Sequence, residues 1–323
     1  MRNTDDACSR RAMLASVIVV GGASLRGGVT TRSGFSDTET ESGSIDADEW
    51  AHERAVFTRA ADLESVFHEN PVVDHPPSSA EAIGPATDQL DGAYSIPFYQ
   101  NSELRYVDDA GSTTTLSTGV VSVRTQNTMY ATTSFGGSPV SVFFANSSKD
   151  TVYRVAPDET EPTAVFSAGN GVRSVLGTAD IDGDDVEELV YVDGSVEIRY
   201  RKPNDSTEYK INGDIGSNNN TIGAGPPTEF PGYGVRIPVV DGNSRVTLLA
   251  GDGTQTILTG SAASKTALNG TDIDIDSDNE VIFVDSNGRL AFVDDVGGGE
   301  TVKPLTDDQG SNVTGIDTER GVL

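Results

Sequence analysis

The feature that most constrains the fold of this 323-residue chain is an acidic segment that occurs twice, 92 residues apart. In each copy, carboxylates at loop positions 1, 3, 5 and 9 precede an apolar run. The two sets are Asp180, Asp182, Asp184 and Glu188, and Asp272, Asp274, Asp276 and Glu280. A degenerate copy lies between them, so the period is near 46 residues. A repeat of about 40–50 residues with several strand-length runs predicts a β-propeller.

The best repeated element of the unit is an apolar strand that ends at a polar turn. It occurs five times, at residues 96–99, 140–144, 189–192, 237–240 and 281–284. The turns that follow, such as Asp193-Gly194 and Asp241-Gly242, are typical of tight hairpins. One strand precedes each of the last four runs, at residues 120–124, 173–178, 220–225 and 265–270, and two strands follow every run. The sequence therefore predicts an all-β fold, a five-bladed β-propeller of four-stranded blades over residues 91–323.

The C-terminal segment is predicted to close the ring of blades. The first unit lacks a strand at its front, and residues 311–317 match the missing strand. Gly315 aligns there with Gly177 and Gly270. We expect this segment to join the unit that begins at residue 96, which would leave no open sheet edge.

The N-terminal residues 1–28 resemble a twin-arginine export signal. Arg10 and Arg11 precede an apolar run over residues 12–25, which is shorter than the roughly 20 residues that span a bilayer. We therefore predict an exported protein with no transmembrane span beyond this segment, should it stay uncleaved. A buried N-terminal segment is the alternative. The only cysteine, Cys8, lies before the arginines, so cleavage would leave no thiol.

Residues 29–90 are predicted to be a linker that contains one short helix. The polar, Gly- and Ser-rich composition of residues 29–45 cannot bury a core. Apolar residues at helical spacing then predict an amphipathic helix over about residues 46–67; they are Val56, Ala60, Leu63 and Phe67. Prolines interrupt regular structure from there to about residue 90.

Charge and residue content exclude several classes of function. The formal net charge is -28, with 17 arginines and five lysines, a balance typical of proteins from halophilic organisms, although an ordinary acidic secreted protein is the alternative. Such a surface argues against nucleic-acid binding.

The three histidines, His52, His68 and His75, precede the predicted propeller, which argues against a Ser-His-Asp triad or a zinc site within it. We predict that the protein is not an enzyme.

The two acidic loops are predicted to bind Ca²⁺. Alternating carboxylates in a tight loop point inward together, and the acid at position 9 completes the ligand set. Ligands that are all oxygen suit Ca²⁺, which takes about 6–8 of them. Solvated acidic turns without an ion are the alternative.

These loops resemble those of the FG-GAP/VCBS repeats of integrin α-like propellers, whose pattern is Asp-x-Asp-Gly-Asp-Gly-x-x-Asp. The resemblance implies an extracellular propeller that holds Ca²⁺ in these loops and serves adhesion or recognition. Both loops depart from the pattern. The first keeps Gly183 where the second has Ile275, and the second glycine of the pattern is Asp185 or Ser277. Since Asp adopts a positive φ more readily than Ser, we expect the first loop to be the better calcium site.

Together these features predict an exported surface or extracellular binding or adhesion module, supported by calcium and without catalytic activity. Its partner would be a protein or a glycan outside the cell. Two alternatives remain open. A lectin-like propeller would carry a repeated aromatic and acidic residue in each blade, and a propeller glycosidase would bring two or three acids together at the central channel.

Overall fold

The computed structural model describes residues 54–59, 62–66, 69, 71–76, 79–87, 90, 95–108, 110–118, 131–148, 150–211, 223–260, 262–263, 268–274, 276 and 278–316. The predicted signal at residues 1–28 and the predicted strand at residues 120–124 lie outside them. Ala51–Leu323 form one compact unit. Within the described residues, no helix has the length and apolarity needed to cross a membrane.

The described chain is built from β-strands in six sheets, the blades of a six-bladed β-propeller. Blade 1 contains β1 (Ala55–Arg59), β2 (Asp62–Val66) and β3 (Val73–His75), and blade 2 contains β4 (Ala82–Ile83), β5 (Ser95–Gln100), β6 (Glu103–Asp108) and β7 (Thr113–Thr118). Blade 3 contains β8 (Ala131–Thr133), β9 (Ser141–Ala145), β10 (Thr151–Val155) and β11 (Thr163–Ser167). Blade 4 contains β12 (Val172–Ala179), β13 (Glu188–Asp193), β14 (Ile198–Arg201) and β15 (Tyr209–Lys210). Blade 5 contains β16 (Gly223–Ala224), β17 (Thr228–Phe230), β18 (Gly234–Val240), β19 (Val246–Leu249) and β20 (Gln255–Thr259). Blade 6 contains β21 (Asn269–Thr271), β22 (Glu280–Val284), β23 (Leu290–Asp294) and β24 (Thr301–Pro304).

The strands of a blade pair with their sequence neighbours in antiparallel fashion, as in blade 4, where β12 pairs β13, β13 pairs β14 and β14 pairs β15. Blade 5 differs in that β16 and β17 both pair with β18. Because the chain reverses at each strand, the connection between the first and second strands lies at the same end of the blade as that between the third and fourth. We call this the loop end of the blade. The connection between the second and third strands lies at the opposite end.

The prediction of five blades was wrong, because residues assigned to the linker and its helix form blade 1. The described part of the span 46–67 is two antiparallel strands, in which Ala55 pairs Val66 and Arg59 pairs Asp62. These strands are buried on both faces. A short strand without an exposed polar face has no clear alternation, and its apolar spacing is not distinguishable from that of a buried helix.

The predicted closure of the ring was also wrong. In blade 2 the strand before β5 is β4, where Ile83 pairs Phe98, so that position is not left for the C-terminal segment. The segment instead binds blade 6, where the Leu290 amide donates to the Val313 carbonyl at 2.9 Å. Val313 and Ile316 share an apolar cluster with residues of β1 and β2. The ring therefore closes through blade 1.

Candidate metal centres

The structure brings together each of the two predicted carboxylate sets. Each acidic loop connects the first and second strands of its blade, in blade 4 between β12 and β13 and in blade 6 between β21 and β22. We call them the blade-4 loop (residues 180–188) and the blade-6 loop (residues 272–280). In each loop, one carboxylate oxygen from every member of the set lies within 4.8 Å of the others. Oxygen atoms at this spacing are compatible with a single bound cation.

Backbone amides fix the shape of the blade-4 loop. Asp180 accepts hydrogen bonds from the amides of Gly183 at 2.8 Å, Asp184 at 3.1 Å and Asp185 at 3.0 Å. Gly183 (φ 80°) and Asp185 (φ 64°) both adopt the left-handed conformation. The glycine position of the repeat pattern that Asp185 replaces therefore keeps a positive φ, which Asp tolerates better than most residues.

A lysine already lies among the carboxylates of the blade-4 loop. Lys202, which follows β14, places its ammonium 2.8 Å from Asp182 Oδ2 and in an ion pair with Asp184. It also lies 3.9 Å from Oε1 of Glu188, a buried oxygen without a hydrogen-bond partner among the described residues. Hydrogen bonds to Asp182 and Asp184 raise the pKa of Lys202, whereas burial raises the pKa of Glu188. The blade-4 loop thus contains a cation supplied by the protein.

The blade-6 loop has backbone hydrogen bonds similar to those of the blade-4 loop. The amides of Ile273 and Asp276 donate to Glu280 at 2.8 Å and to Asp272 at 3.0 Å. Oδ1 of Asp274 is buried and has no hydrogen-bond partner among the described residues. Burial, and then the neighbouring Asp274 and Asp276, raise the pKa of Glu280 to about 9; burial and Asp276 raise that of Asp274 to about 6. Protonation or a bound cation would relieve the repulsion within this group.

The strand registers show which residue replaces the lysine in blade 6. Arg201 pairs Leu189 in blade 4, and Val293 pairs Val281 in blade 6, so the next residues, Lys202 and Asp294, are equivalent. They are also 92 residues apart, the offset of the acidic repeat. The buried Asp294 groups with Asp276 and Asp295, and its one ion-pair partner among the described residues is the half-exposed Lys303. Blade 6 therefore presents a fifth carboxylate where blade 4 has an ammonium.

The repeat pattern predicts the carboxylates of both loops but not Lys202 or Asp294, which lie at the end of the third strand of blades 4 and 6. The 92-residue offset, applied past the loop, is the signal that would have found them.

One histidine belongs to the propeller, contrary to the expectation that all three precede it. His75 lies in β3, and its Nε2 is 2.8 Å from Oγ of Ser65 on β2. Both residues are buried, and burial together with Arg54 lowers the pKa of His75 to about 4. A substrate could not reach this hydroxyl without opening the blade, so the contact packs β2 against β3.

Comparison with known proteins supports the fold. No protein-family model matches the chain, and no curated protein sequence is significantly similar to it. A solved chain from a nidogen/laminin complex is 14% identical over 81% of this chain and 97% of its own length, with a TM-score of 0.54. A chain from a complex of BBS1N with ARL6DN is 10% identical over 80% of this chain and 79% of its own, with a TM-score of 0.50.

A fucoside complex of the Aleuria aurantia lectin is 17% identical over 77% of this chain and 88% of its own, with a TM-score of 0.49. Identities this low show a shared fold alone. The chains from the nidogen/laminin and BBS1N complexes, with TM-scores of 0.54 and 0.50, confirm the predicted β-propeller, whereas membership of the FG-GAP/VCBS family and a halophilic origin stay predictions.

Proposed function

We propose that this protein is an exported, non-catalytic binding module whose six-bladed propeller is stabilised by Ca²⁺ in the blade-6 loop. The observation that carries the calcium assignment is the buried Oδ1 of Asp274, which has no hydrogen-bond partner among the described residues and belongs to a group of four carboxylates. The proposed partner is a protein or a glycan outside the cell.

The residues of the blade-6 loop fit a calcium ion. Asp272, Asp274, Asp276 and Glu280 provide oxygen ligands only, and the flexible coordination of Ca²⁺ accepts such a loop. Asp294 lies beside them and adds a fifth carboxylate, whose charge is partly offset by its ion pair with Lys303. The ion would neutralise charges that the fold brings together and would hold the connection between the first two strands of blade 6 against β23. Its role would be structural.

The blade-4 loop is the weaker candidate, contrary to what its pattern predicts. A divalent ion there would have to displace the Lys202 ammonium from Asp182 and Asp184. Like charges at such a distance repel strongly inside a protein, so the lysine and the ion exclude each other. We infer that Lys202 does in blade 4 what Ca²⁺ does in blade 6.

The propeller fold supports the binding role. A propeller presents connecting loops on a rigid scaffold, and these loops vary without disturbing the blades. Two of the similar solved chains come from protein complexes, one of nidogen with laminin and one of BBS1N with ARL6DN. The twin-arginine-like segment at residues 1–28 supports export.

Calcium binding is tested by thermal unfolding of the full chain in concentrated KCl, with added Ca²⁺ or with a chelator. We expect Ca²⁺ to raise the Tm, by mass action on the folded state. Asp274→Ala should abolish this rise. The matched control Asp182→Ala, at the equivalent position in blade 4, should retain it. A Ca²⁺-dependent rise that survives Asp274→Ala but not Asp182→Ala would place the ion in the blade-4 loop and contradict the assignment to blade 6. The absence of any rise would exclude calcium binding.

Export is tested separately with a folded reporter fused to residues 1–28. The wild-type segment should carry the reporter out of the cell, and replacement of both Arg10 and Arg11 by lysine should retain it inside. Export that does not depend on the two arginines would refute the twin-arginine assignment.

A further inference from the structure

A cleft between blades 3 and 4 lies outside both acidic loops. Its volume is about 390 Å³, within the range of small-ligand pockets. Phe135 and Phe166 line its blade-3 side, and residues 201–206, between the third and fourth strands of blade 4, line the other. The loops that carry Phe135 and residues 201–206 are both at the loop ends of their blades.

Arg201 is held in a fixed orientation within this cleft. Its Nε donates to the backbone carbonyl of Asp205 at 2.7 Å, and its guanidinium carbon lies 4.6 Å from the centre of the Phe166 ring. A guanidinium that is stacked on an aromatic ring and anchored through Nε keeps its two terminal nitrogens in one plane. Among the described residues, neither terminal nitrogen has a hydrogen-bond acceptor.

The absence of a carboxylate partner distinguishes Arg201 from most arginines of the described structure. Six of them form ion pairs, namely Arg59 with Glu64, Arg105 with Glu103, Arg154 with Glu159, Arg199 with Asp193, Arg245 with Asp241 and Arg289 with Asp285. Within the described chain, no carboxylate is within ion-pair distance of Arg201. In a chain with 50 acidic residues, this unpaired cation in a cleft is suited to an anion from outside.

The other charged groups of the cleft are already engaged. Lys202 lines it, but its ammonium contacts Asp182 and Asp184 of the blade-4 loop. The carboxylate of Asp205 accepts hydrogen bonds from the Thr207 amide at 2.8 Å and from the Tyr209 hydroxyl at 2.9 Å. Asp205 stays charged and partly offsets the charge of Arg201. Arg201 therefore contributes unpaired guanidinium N–H donors to the cleft, rather than a large net positive charge.

We propose that this cleft binds the carboxylate of an acidic sugar through the terminal nitrogens of Arg201. A guanidinium and a carboxylate form two parallel hydrogen bonds, which orient the ligand as well as bind it. Phe135 and Pro203 offer apolar surface for the C–H face of a sugar ring, and Asn204 and Ser206 offer polar groups for its hydroxyls. Phe135 is fixed by an edge-to-face contact with Phe143, so this surface is formed before binding. An acidic sugar supplies a partner for each of these three kinds of group.

This inference rests on the proposed binding function and names its ligand class. The acidic surface would repel an anionic glycan at low salt, but the Debye length falls to about 3 Å at 1 M salt, so binding should be measured in concentrated KCl.

The test is isothermal titration of the full chain with glucuronate and galacturonate oligomers, a neutral galactose oligomer and a glutamate tripeptide. At least one uronate oligomer should bind, and the neutral oligomer should not. Arg201→Gln should weaken uronate binding by roughly ten- to hundredfold, the loss of a charge-assisted hydrogen-bond pair. Arg201→Lys should weaken it less, because it keeps the charge without the planar fork.

The matched control is Arg236→Gln. Arg236 also lacks an ion pair within the described residues, donates to the Val235 carbonyl and lies outside the cleft, so uronate affinity should not change. Equal Tm values for the variants and the wild type would exclude unfolding as the cause of lost binding.

Failure of both uronates to bind, or equal binding by wild type and Arg201→Gln, would overturn the proposal. Binding of the glutamate tripeptide in place of the uronates would overturn it in favour of a peptide. Either result would leave export and the calcium response unaffected, so this inference and the proposed function fail separately.

Discussion

At the scale of single residues, the sign of one side chain separates two loops that are otherwise alike. Lys202 and Asp294 occupy equivalent positions at the end of the third strand, and each is close to the acidic loop of its own blade. Exchanging a cation for an anion makes the site more negative, although the ion pair of Asp294 with Lys303 offsets part of the change. The loop sequences alone favour blade 4 as a metal site, whereas the residue at the end of the third strand, Lys202 or Asp294, favours blade 6.

Replacement of Lys202 by methionine should create a second calcium site. The substitution keeps the length of the aliphatic side chain and leaves Asp182, Asp184 and the buried Glu188 without their cation. Without Ca²⁺ we expect a lower Tm than in the wild type, and with Ca²⁺ a larger rise in Tm. Titration calorimetry should give one bound ion for the wild type and two for Lys202→Met. An unchanged stoichiometry would mean that Lys202 does not block the blade-4 loop.

The blade-6 loop should make stability depend on pH when no cation is bound. The pKa of Glu280 is raised from 4.5 to about 9, so the folded state holds a proton that the unfolded state releases. Stability should therefore fall as the pH rises from about 4.5 to about 9. The window from about pH 7 to pH 9 excludes the titrations of Asp274 and His75, because the pKa of Asp274 (about 6) and that of His75 (about 4) lie below it.

Chemical unfolding in the presence of a chelator, at both ends of that window, measures the effect. Glu280→Gln should flatten the profile, and Ca²⁺ should remove the fall in the wild type. A wild-type profile that matches that of Glu280→Gln would show that Glu280 ionises freely in the folded state.

At the scale of elements, the turn between the second and third strands uses the same contacts in three blades. Asp241 accepts hydrogen bonds from the amides of Asn243 at 2.8 Å and Arg245 at 3.0 Å, and its other oxygen accepts from Arg245 Nε at 2.6 Å. Asp193 with Arg199 and Asp285 with Arg289 repeat this pattern. Although burial opposes it, hydrogen bonds from Arg245 hold the pKa of Asp241 below its ordinary value.

Asp241→Ala should destabilise the protein by about 1–3 kcal/mol, because it leaves two backbone amides and a guanidinium without their acceptor. Asp241→Asn should cost less, since an amide oxygen keeps the turn bonds and loses only the ion pair. Because the folded-state pKa of Asp241 is lowered, its contribution is present above a pH of about 3.8 and is lost as the pH falls further. Urea unfolding at neutral and acidic pH checks both statements, and equal losses for the two variants would contradict this role for the charge.

A strand of this protein is predictable from the sequence where a polar turn or an acidic loop flanks it. Strands β5, β9, β13, β18 and β22 were predicted because each is an apolar run that ends at a polar turn. Strands β1 and β2 have no acidic loop before them, and they are joined by Ala60 and Ala61 rather than by Asp or Gly. Their spacing therefore predicted a helix. The register that brings Lys202 to the blade-4 loop depends on strand pairing, which the loop sequence does not contain.

At the scale of the whole molecule, blade 1 completes the ring by packing on both of its neighbours. Val56 and Leu63 share an apolar cluster with residues of blade 2, including Ile96 and Phe98. On the opposite face, a second cluster joins blade 1 to blade 6 and to the C-terminal segment; it contains Ala55, Phe57, Val66, Ile282, Phe292, Val313 and Ile316. Removing this blade would expose both clusters at once.

The sequence-predicted domain boundary at residue 91 and the structural boundary near residue 54 therefore lead to different outcomes for two fragments. Burying a Val, Leu or Phe side chain contributes about 1.5–3 kcal/mol, so the four large apolar residues of β1 and β2 contribute up to about 6–12 kcal/mol. That sum is comparable to the whole stability of a typical domain, about 5–15 kcal/mol. In concentrated KCl, residues 54–323 should unfold in one cooperative transition. Residues 91–323 should lack one, or melt far lower, and should bind an apolar dye at both exposed faces. Equal cooperative melting of the two fragments would mean that five blades form a stable ring and that blade 1 only covers it.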